Sequence, residues 1–179
     1  MVFQNGFFCC EIGVLSDTMK HNLIFLCKGF NMTAADMDVN ANCVLDLSEE
    51  QKIAFLRAFS KMAGIDGNFD ESEKHFIKNI AISFGVTSDK TEEILDVSDE
   101  DKIIEEVAKI KNRRVALELV KELCMLAHAD DELSDEETLF IGKVGLAMGV
   151  ELEKIEQISN WVIDRLIWLD QGKIIFEEV

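Results

Sequence analysis

The sequence predicts an all-α protein of about seven helices, arranged as two pseudo-symmetric three-helix repeats joined by a connector helix. Three observations predict it. Apolar residues recur at helical spacing from residue 48 onward, and outside the last eight residues no five-residue stretch alternates as a half-buried strand would. Proline is absent, which suits a chain made mostly of helices. Most informative, the chain matches itself when slid by 64 residues, the signature of an internal repeat.

The elements follow in order. Ser48 with Glu49 and Glu50 marks a helix start, and Ile53, Leu56, Phe59 and Ala63 form its apolar stripe, widened by Phe55 and Met62. After Asp66-Gly67 a second helix is predicted over 71–84, carrying Phe76, Ile77, Ile80 and Phe84 and ended by Gly85. A short third spans about 88–95. Ser98 is the predicted cap of a fourth, with Ile103, Val107 and Ile110 on one face. A fifth covers about 114–129, with Leu119, Val120, Leu123, Leu126 and Ala127 inward. A sixth covers about 135–148 and stops at Gly149. A seventh begins near Glu151, with Leu152, Ile155, Ile158 and Val162 on one side; the tail from Gly172 to Val179 reads as strand-like or loose.

Residues 1–47 read as a poorly organised extension, with one short helix expected near 15–30. Because the pattern starts only at Leu47, translation is expected to begin further in, at Met32 or Met37. The helical domain is then 48–179, with repeats at about 48–96 and 112–165.

Thirty-five acidic against eighteen basic side chains give a formal charge of −17. Such a field repels phosphate backbones and anionic membranes and attracts cations and basic partners. No Lys/Arg run exceeds Arg113-Arg114, and no segment has the roughly 20 apolar residues that span a bilayer. A basic leader is also missing, so nucleic-acid binding, membrane insertion and secretion are disfavoured. Five cysteines, odd in number and without CxxC spacing, read as reduced thiols of a cytoplasmic protein.

In the self-match, residues 62–86 lie over 126–150 with seven identities in 25 columns: Ala63/Ala127, Asp66/Asp130, Glu73/Glu137, Phe76/Phe140, Ile77/Ile141, Gly85/Gly149 and Val86/Val150. One three-helix half cannot bury its apolar stripes alone, so the halves are expected to pack on each other.

The strings Met62-Ala-Gly-Ile-Asp-Gly-Asn-Phe-Asp-Glu-Ser-Glu73 and Leu126-Ala-His-Ala-Asp-Asp-Glu-Leu-Ser-Asp-Glu-Glu137 resemble the signature of the TerB-like (tellurite-resistance) family, shared with the N-terminal domain of the DjlA co-chaperones. The resemblance covers about 48–165. Asp70 stands where serine is usual, and Asp131 replaces the turn glycine. No J-domain His-Pro-Asp is present, so the co-chaperone role does not carry over. The resemblance implies a part in tellurite or metal-stress response, inside a larger assembly, with acidic positions that chelate metal.

Asp70-x-x-Glu73 and Ser134-x-x-Glu137 each fit a capping box, worth about 1 kcal/mol apiece. Asp66 and Asp130 are harder to explain that way. Each falls at the C-terminal end of a helix, where a carboxylate costs roughly 0.3–1 kcal/mol against the macrodipole. Six of the eight residues from Asp130 to Glu137 are acidic. Gathering like charges there, twice, points to a hard divalent cation, calcium first and magnesium or manganese next, held by Asp66, Asp70, Glu73, Asp130, Ser134 and Glu137. The turns are not EF-hands, because positions 1 and 3 would be Met62 and Gly64, or Leu126 and His128.

His75 and His128 fall in different columns of the repeat and read as ordinary helix residues. Gly142, Gly145 and Gly149 lack a preceding strand, so they make no phosphate loop and instead let another helix approach. Trp161 and Trp168, seven apart on one helix face, read as core or packing against the N-terminal segment, with a partner-binding stripe as the alternative. No nucleophile–base motif or organic cofactor site is recognisable. The leading expectation is a non-enzymatic divalent-cation-binding module whose protein partners are basic or metal-bridged. The rivals are a metal-independent acidic scaffold for protein–protein interaction and, behind it, a metal-dependent hydrolase.

Overall fold

The computed structural model describes residues 46–67, 69, 71–128 and 133–176, without the side chains of Ser72 and Lys173. The helix expected near 15–30 and the proposed internal starts lie outside these residues. Among the described residues there are seven α-helices and no strand: α1 Glu49–Ala63, α2 Glu71–Ser83, α3 Thr91–Leu95, α4 Glu100–Val107, α5 Arg113–Ala127, α6 Asp135–Ala147 and α7 Leu152–Ile175. A 3-10 turn, Ser88–Lys90, leads into α3.

The starts have local causes. The Ser48 hydroxyl accepts from the Gln51 amide while the Gln51 side chain accepts from the Ser48 amide, closing a capping box at α1. Asn112 caps α5 through the amides of Arg114 and Val115. At α4 the expectation is corrected. Asp99 is the cap and accepts from Lys102, whereas Ser98 donates its hydroxyl to the Asp96 carboxylate, which accepts from the Ser98 amide as well. Both residues are good cap formers, and the one nearer the first turn wins.

The ends of α2 and α6 are alike. Gly85 has φ +74 and Gly149 φ +78, the left-handed conformation that glycine adopts without strain. Val86 N–H donates to Ala81 O at 3.0 Å and Val150 N–H to Gly145 O at 2.8 Å, closing each helix the same way. The bounds of α1 and α5, and of α2 and α6, differ by 64 residues at both ends, and Ser88 and Leu152 open the next helical segments at the same offset.

The C-terminus departs from expectation. Helix α7 runs unbroken to Ile175, so 172–175 is helical rather than strand-like or loose; 177–179 lie outside the described residues. Nothing in that stretch carries a turn signal other than Gly172, and one glycine does not stop a helix. Leu152, expected inward, is exposed.

Helices α1 and α5 are the hubs. Helix α1 packs on α2, α3, α4, α5 and α6, and α5 packs on α1, α6 and α7. The stripes read from the sequence meet here: Leu56, Phe59, Phe76, Ile77, Ile103, Val107, Ile110, Leu119, Leu123, Phe140 and Val144 are all buried in one core. Gly145 is where the backbones come close. A Cβ there would meet Ile155 Cδ1 at 2.5 Å and Val120 Cγ2 at 3.3 Å, so α5, α6 and α7 converge on it.

Candidate functional site

The first acidic turn leaves α1 through Gly64, whose amide donates to Ser60 O. Phe69 folds back over Gly64: a Cβ there would meet Phe69 Cβ at 2.9 Å. Asp66 is exposed on this turn, Gly67 follows at φ +84, and Glu73 is buried at 7% exposure in the first turn of α2. Asp70 lies outside the described residues.

In the second turn His128 takes the position of Gly64. The room that Phe69 uses in the first turn is thus filled by an imidazole, and Leu133, the counterpart of Phe69, is left 36% exposed. Burial pushes the His128 pKa below its ordinary value, with nearby Glu137 pulling the other way; its Nε2 lies 3.3 Å from Ser159 Oγ. Ser134 and Glu137 form the full capping box of α6. The Ser134 amide donates to Glu137 Oε2 at 2.8 Å, and the Glu137 amide donates to Ser134 Oγ at 3.2 Å. Asp130, with Asp131 and Glu132, lies outside the described residues.

The structure therefore brings Ser134 and Glu137 together for a structural reason, and one Glu137 oxygen is already used. Among the described residues no three His, Cys, Asp or Glu side chains stand close enough to hold a metal ion. The described part of each turn supplies donors of the right kind, carboxylate oxygens, but not a closed set.

A second constellation was not anticipated from the sequence. On the face of α5 turned toward α7, Glu118, Lys121 and Glu122 are withdrawn from water, the two glutamates at 6% and 2% exposure. The Lys121 ammonium lies 2.6 Å from Glu118 Oε2 and 3.0 Å from Glu122 Oε1, and Arg114 donates to Glu118 Oε1 at 2.7 Å. Glu122 Oε2 has no hydrogen-bond partner. Burial raises the Glu122 pKa, against the opposing pull of Lys121. At Lys121 burial works against the charge, but the two carboxylates outweigh it and lift the pKa.

Beside this triad a groove of about 330 Å³ opens between α5 and α7, with Leu117 and Ile158 at its apolar floor and Trp161 on its wall. The signal that would have found it was available: at the 64-residue offset Glu118 and Glu122 replace Ala54 and Ala58, both buried. A charged residue in a column that is alanine and buried in the other copy is out of pattern.

Neither tryptophan is core. Trp161 is 51% and Trp168 70% exposed, because α7 turns Val162 and Leu166 inward and these two outward. Trp168 begins a run with Ile167, Ile174, Ile175 and Phe176, all more than half exposed. The buried Cys124 thiol has its pKa pushed up to about 12 by burial, so it is no nucleophile. No helix among the described residues is long and apolar enough to cross a membrane. No model of a known protein family, no curated protein and no solved structure matches the chain.

Proposed function

We propose that this protein is a non-enzymatic, TerB-like helical interaction module, built from two pseudo-symmetric three-helix repeats joined by α4, that docks a basic, amphipathic protein segment. What supports the repeats is the common 64-residue offset of helix bounds and glycine ends, added to the seven identities. The observation that carries the docking reading is the end of α7. Five large apolar side chains, Ile167, Trp168, Ile174, Ile175 and Phe176, face water there within ten residues. Scattered exposed apolar residues are ordinary, but a contiguous set on one helix end marks an interaction surface. Asp164, Asp170, Glu177 and Glu178 accompany it in a chain of charge −17, which selects a basic partner over an acidic one.

The test is calorimetry of the full chain with two amphipathic helical peptides of equal apolar content, one lysine-rich and one glutamate-rich. Binding of the lysine-rich peptide alone, weakened at least tenfold by Trp168→Asp with Phe176→Asp, is the expected result. Equal binding of both peptides, or of neither, overturns the reading.

A second reading is divalent-cation binding at the acidic turns, as the TerB-like resemblance implies for metal stress. Exposed Asp66 beside buried Glu73 favours it, since a cap accounts for one glutamate oxygen and leaves Asp66 at an unfavourable helix end. The remaining ligands would come from Asp70 and from the Asp130–Glu132 run. Titration with Ca²⁺, Mg²⁺ and Mn²⁺ should give heat that Asp66→Asn with Asp130→Asn abolishes. Heat unchanged by the double variant removes this reading and leaves the docking reading standing.

A further inference from the structure

The two halves carry one groove in two states. In the first half a cavity of about 560 Å³ is lined by Glu50, Ile53, Lys90 and Glu93, with Glu106 and Lys109 contributed by α4. Moved on by 64 residues, the first four become Arg114, Leu117, Lys154 and Gln157, and all four line the α5–α7 groove. The first groove has α4 for its far wall. Ile103, Val107 and Ile110 are fully buried, and Glu106 reaches in to pair with Arg57, itself 1% exposed.

The second half has no helix in that place. The first copy ends α3 at Leu95 and turns back; the second continues straight through the matching residue, Ser159, because α7 does not break. Its groove therefore runs on past Glu118 and Lys121 to Trp161 and stays open. Its charge is also reversed relative to the molecule. Arg114, Lys121, Lys154 and Arg165 surround it against Glu118 and Glu122, in a chain of charge −17. Buried Glu122 Oε2, with no donor, adds a polar vacancy beneath it.

An occupant must offer what α4 offers: apolar residues spaced i, i+4 and i+7, with a carboxylate at i+3. In α4 and its exit these are Ile103, Glu106, Val107 and Ile110. Residues 1–45 contain a single glutamate, and it sits in this pattern: Phe8, Glu11, Ile12 and Leu15. We propose that residues 8–15 of this chain occupy the α5–α7 groove as α4 occupies its counterpart. Phe8, Ile12 and Leu15 lie on Leu117, Ile158 and Trp161, and the Glu11 carboxylate lies among Lys121, Lys154 and Arg114.

The segment is favoured over a second copy because it is tethered. About 30 residues join Leu15 to Asp46, a reach of up to about 100 Å, and a flexible tether holds its end at an effective concentration on the order of millimolar. Gly13 makes the segment a poor helix by itself, so its order depends on the groove. This inference rests on the 64-residue equivalence and on neither the cation sites nor the patch at Ile167–Phe176.

The experiment uses the full chain with Trp168→Phe, leaving Trp161 as sole emitter. Ile12→Asp with Leu15→Asp should raise acrylamide quenching of Trp161 about twofold by uncovering the indole, while Gly13→Asp, on the opposite side of the pattern, leaves it unchanged. Amide exchange should show residues 8–15 protected, and Leu117→Asp should abolish that protection while α1 and α6 keep theirs. Quenching indifferent to Ile12→Asp/Leu15→Asp overturns the proposal. So does exchange at 8–15 that is unprotected in the parent chain, or protection that disappears on dilution and so belongs to a second copy.

Discussion

Position 57 and position 121 are the same place in the two halves, and each holds a cation withdrawn from water. Arg57 takes its partners from a distance: the Glu106 carboxylate on α4 and the Asp96 carbonyl, which accepts from Nε at 3.2 Å and from Nη2 at 2.9 Å. Lys121 takes its partners from its own helix, three residues before and one after. The guanidinium ties α1 to the following connector, whereas the ammonium ties α5 only to itself. Deleting the connector from the second copy thus required new carboxylates on α5, and Glu118 and Glu122 supply them where the first copy has alanines. One buried cation is a clamp between elements and the other is a local neutralisation.

The sharpest break in this comparison is Arg57→Ala. It leaves Glu106 and the Asp96 carbonyl without their partner and opens α1 from α4, so urea unfolding should show a loss of about 3 kcal/mol, in the range for breaking a buried pair. Lys121→Met should cost distinctly less, since Arg114 still holds Glu118 and no second element is released; equal losses would dissolve the distinction. Next comes the junction at Gly145, whose counterpart Ala81 is fully buried. Gly145→Ala should destabilise by about 1–2 kcal/mol, because overpacking against Ile155 exceeds the gain in helix propensity. A thermal melt that rises instead would show that Ile155 yields. Ser134→Ala, which removes the cap of α6, should cost about 1 kcal/mol, and Ser48→Ala the same in the other half.

The smallest effect is read as a slope. Burial raises the Glu122 pKa above its ordinary 4.5, so the folded state holds this proton more tightly than the unfolded one. Its favourable contribution is complete below 4.5 and is lost as pH rises through the raised value. Stability should therefore decline with pH across that window, and Glu122→Gln should remove this part of the slope. A slope identical in the variant would place the titration elsewhere.

Much of the fold was legible in the sequence because helical stripes and the repeat are local or periodic signals. The faces of α1, α2, α4, α5 and α6 were readable from Leu56, Phe76, Ile103, Leu123 and Phe140, all buried as spaced. The α4 cap was misread because Ser98 and Asp99 are both cap formers, and only their bonds distinguish them. The length of α7 escaped because Gly172 carries a turn propensity that nothing next to it reinforces. Of the candidate site, the cap of Ser134 with Glu137 was readable from its spacing. The Glu118–Lys121–Glu122 triad was not, since its burial follows from how α7 lies across α5, a long-range fact that charge and spacing conceal.

The unequal lengths of α5 and α7 carry one more consequence. Fifteen residues make a rod of about 22 Å and twenty-four make one of about 36 Å, so α7 outruns its support by two to three turns. The last inward-locked residue is Leu166. Beyond it the helix is a cantilever, held by its own backbone hydrogen bonds, and its tip unwinds at far less cost than the global transition. Anything that grips the tip therefore stiffens it without disturbing the core.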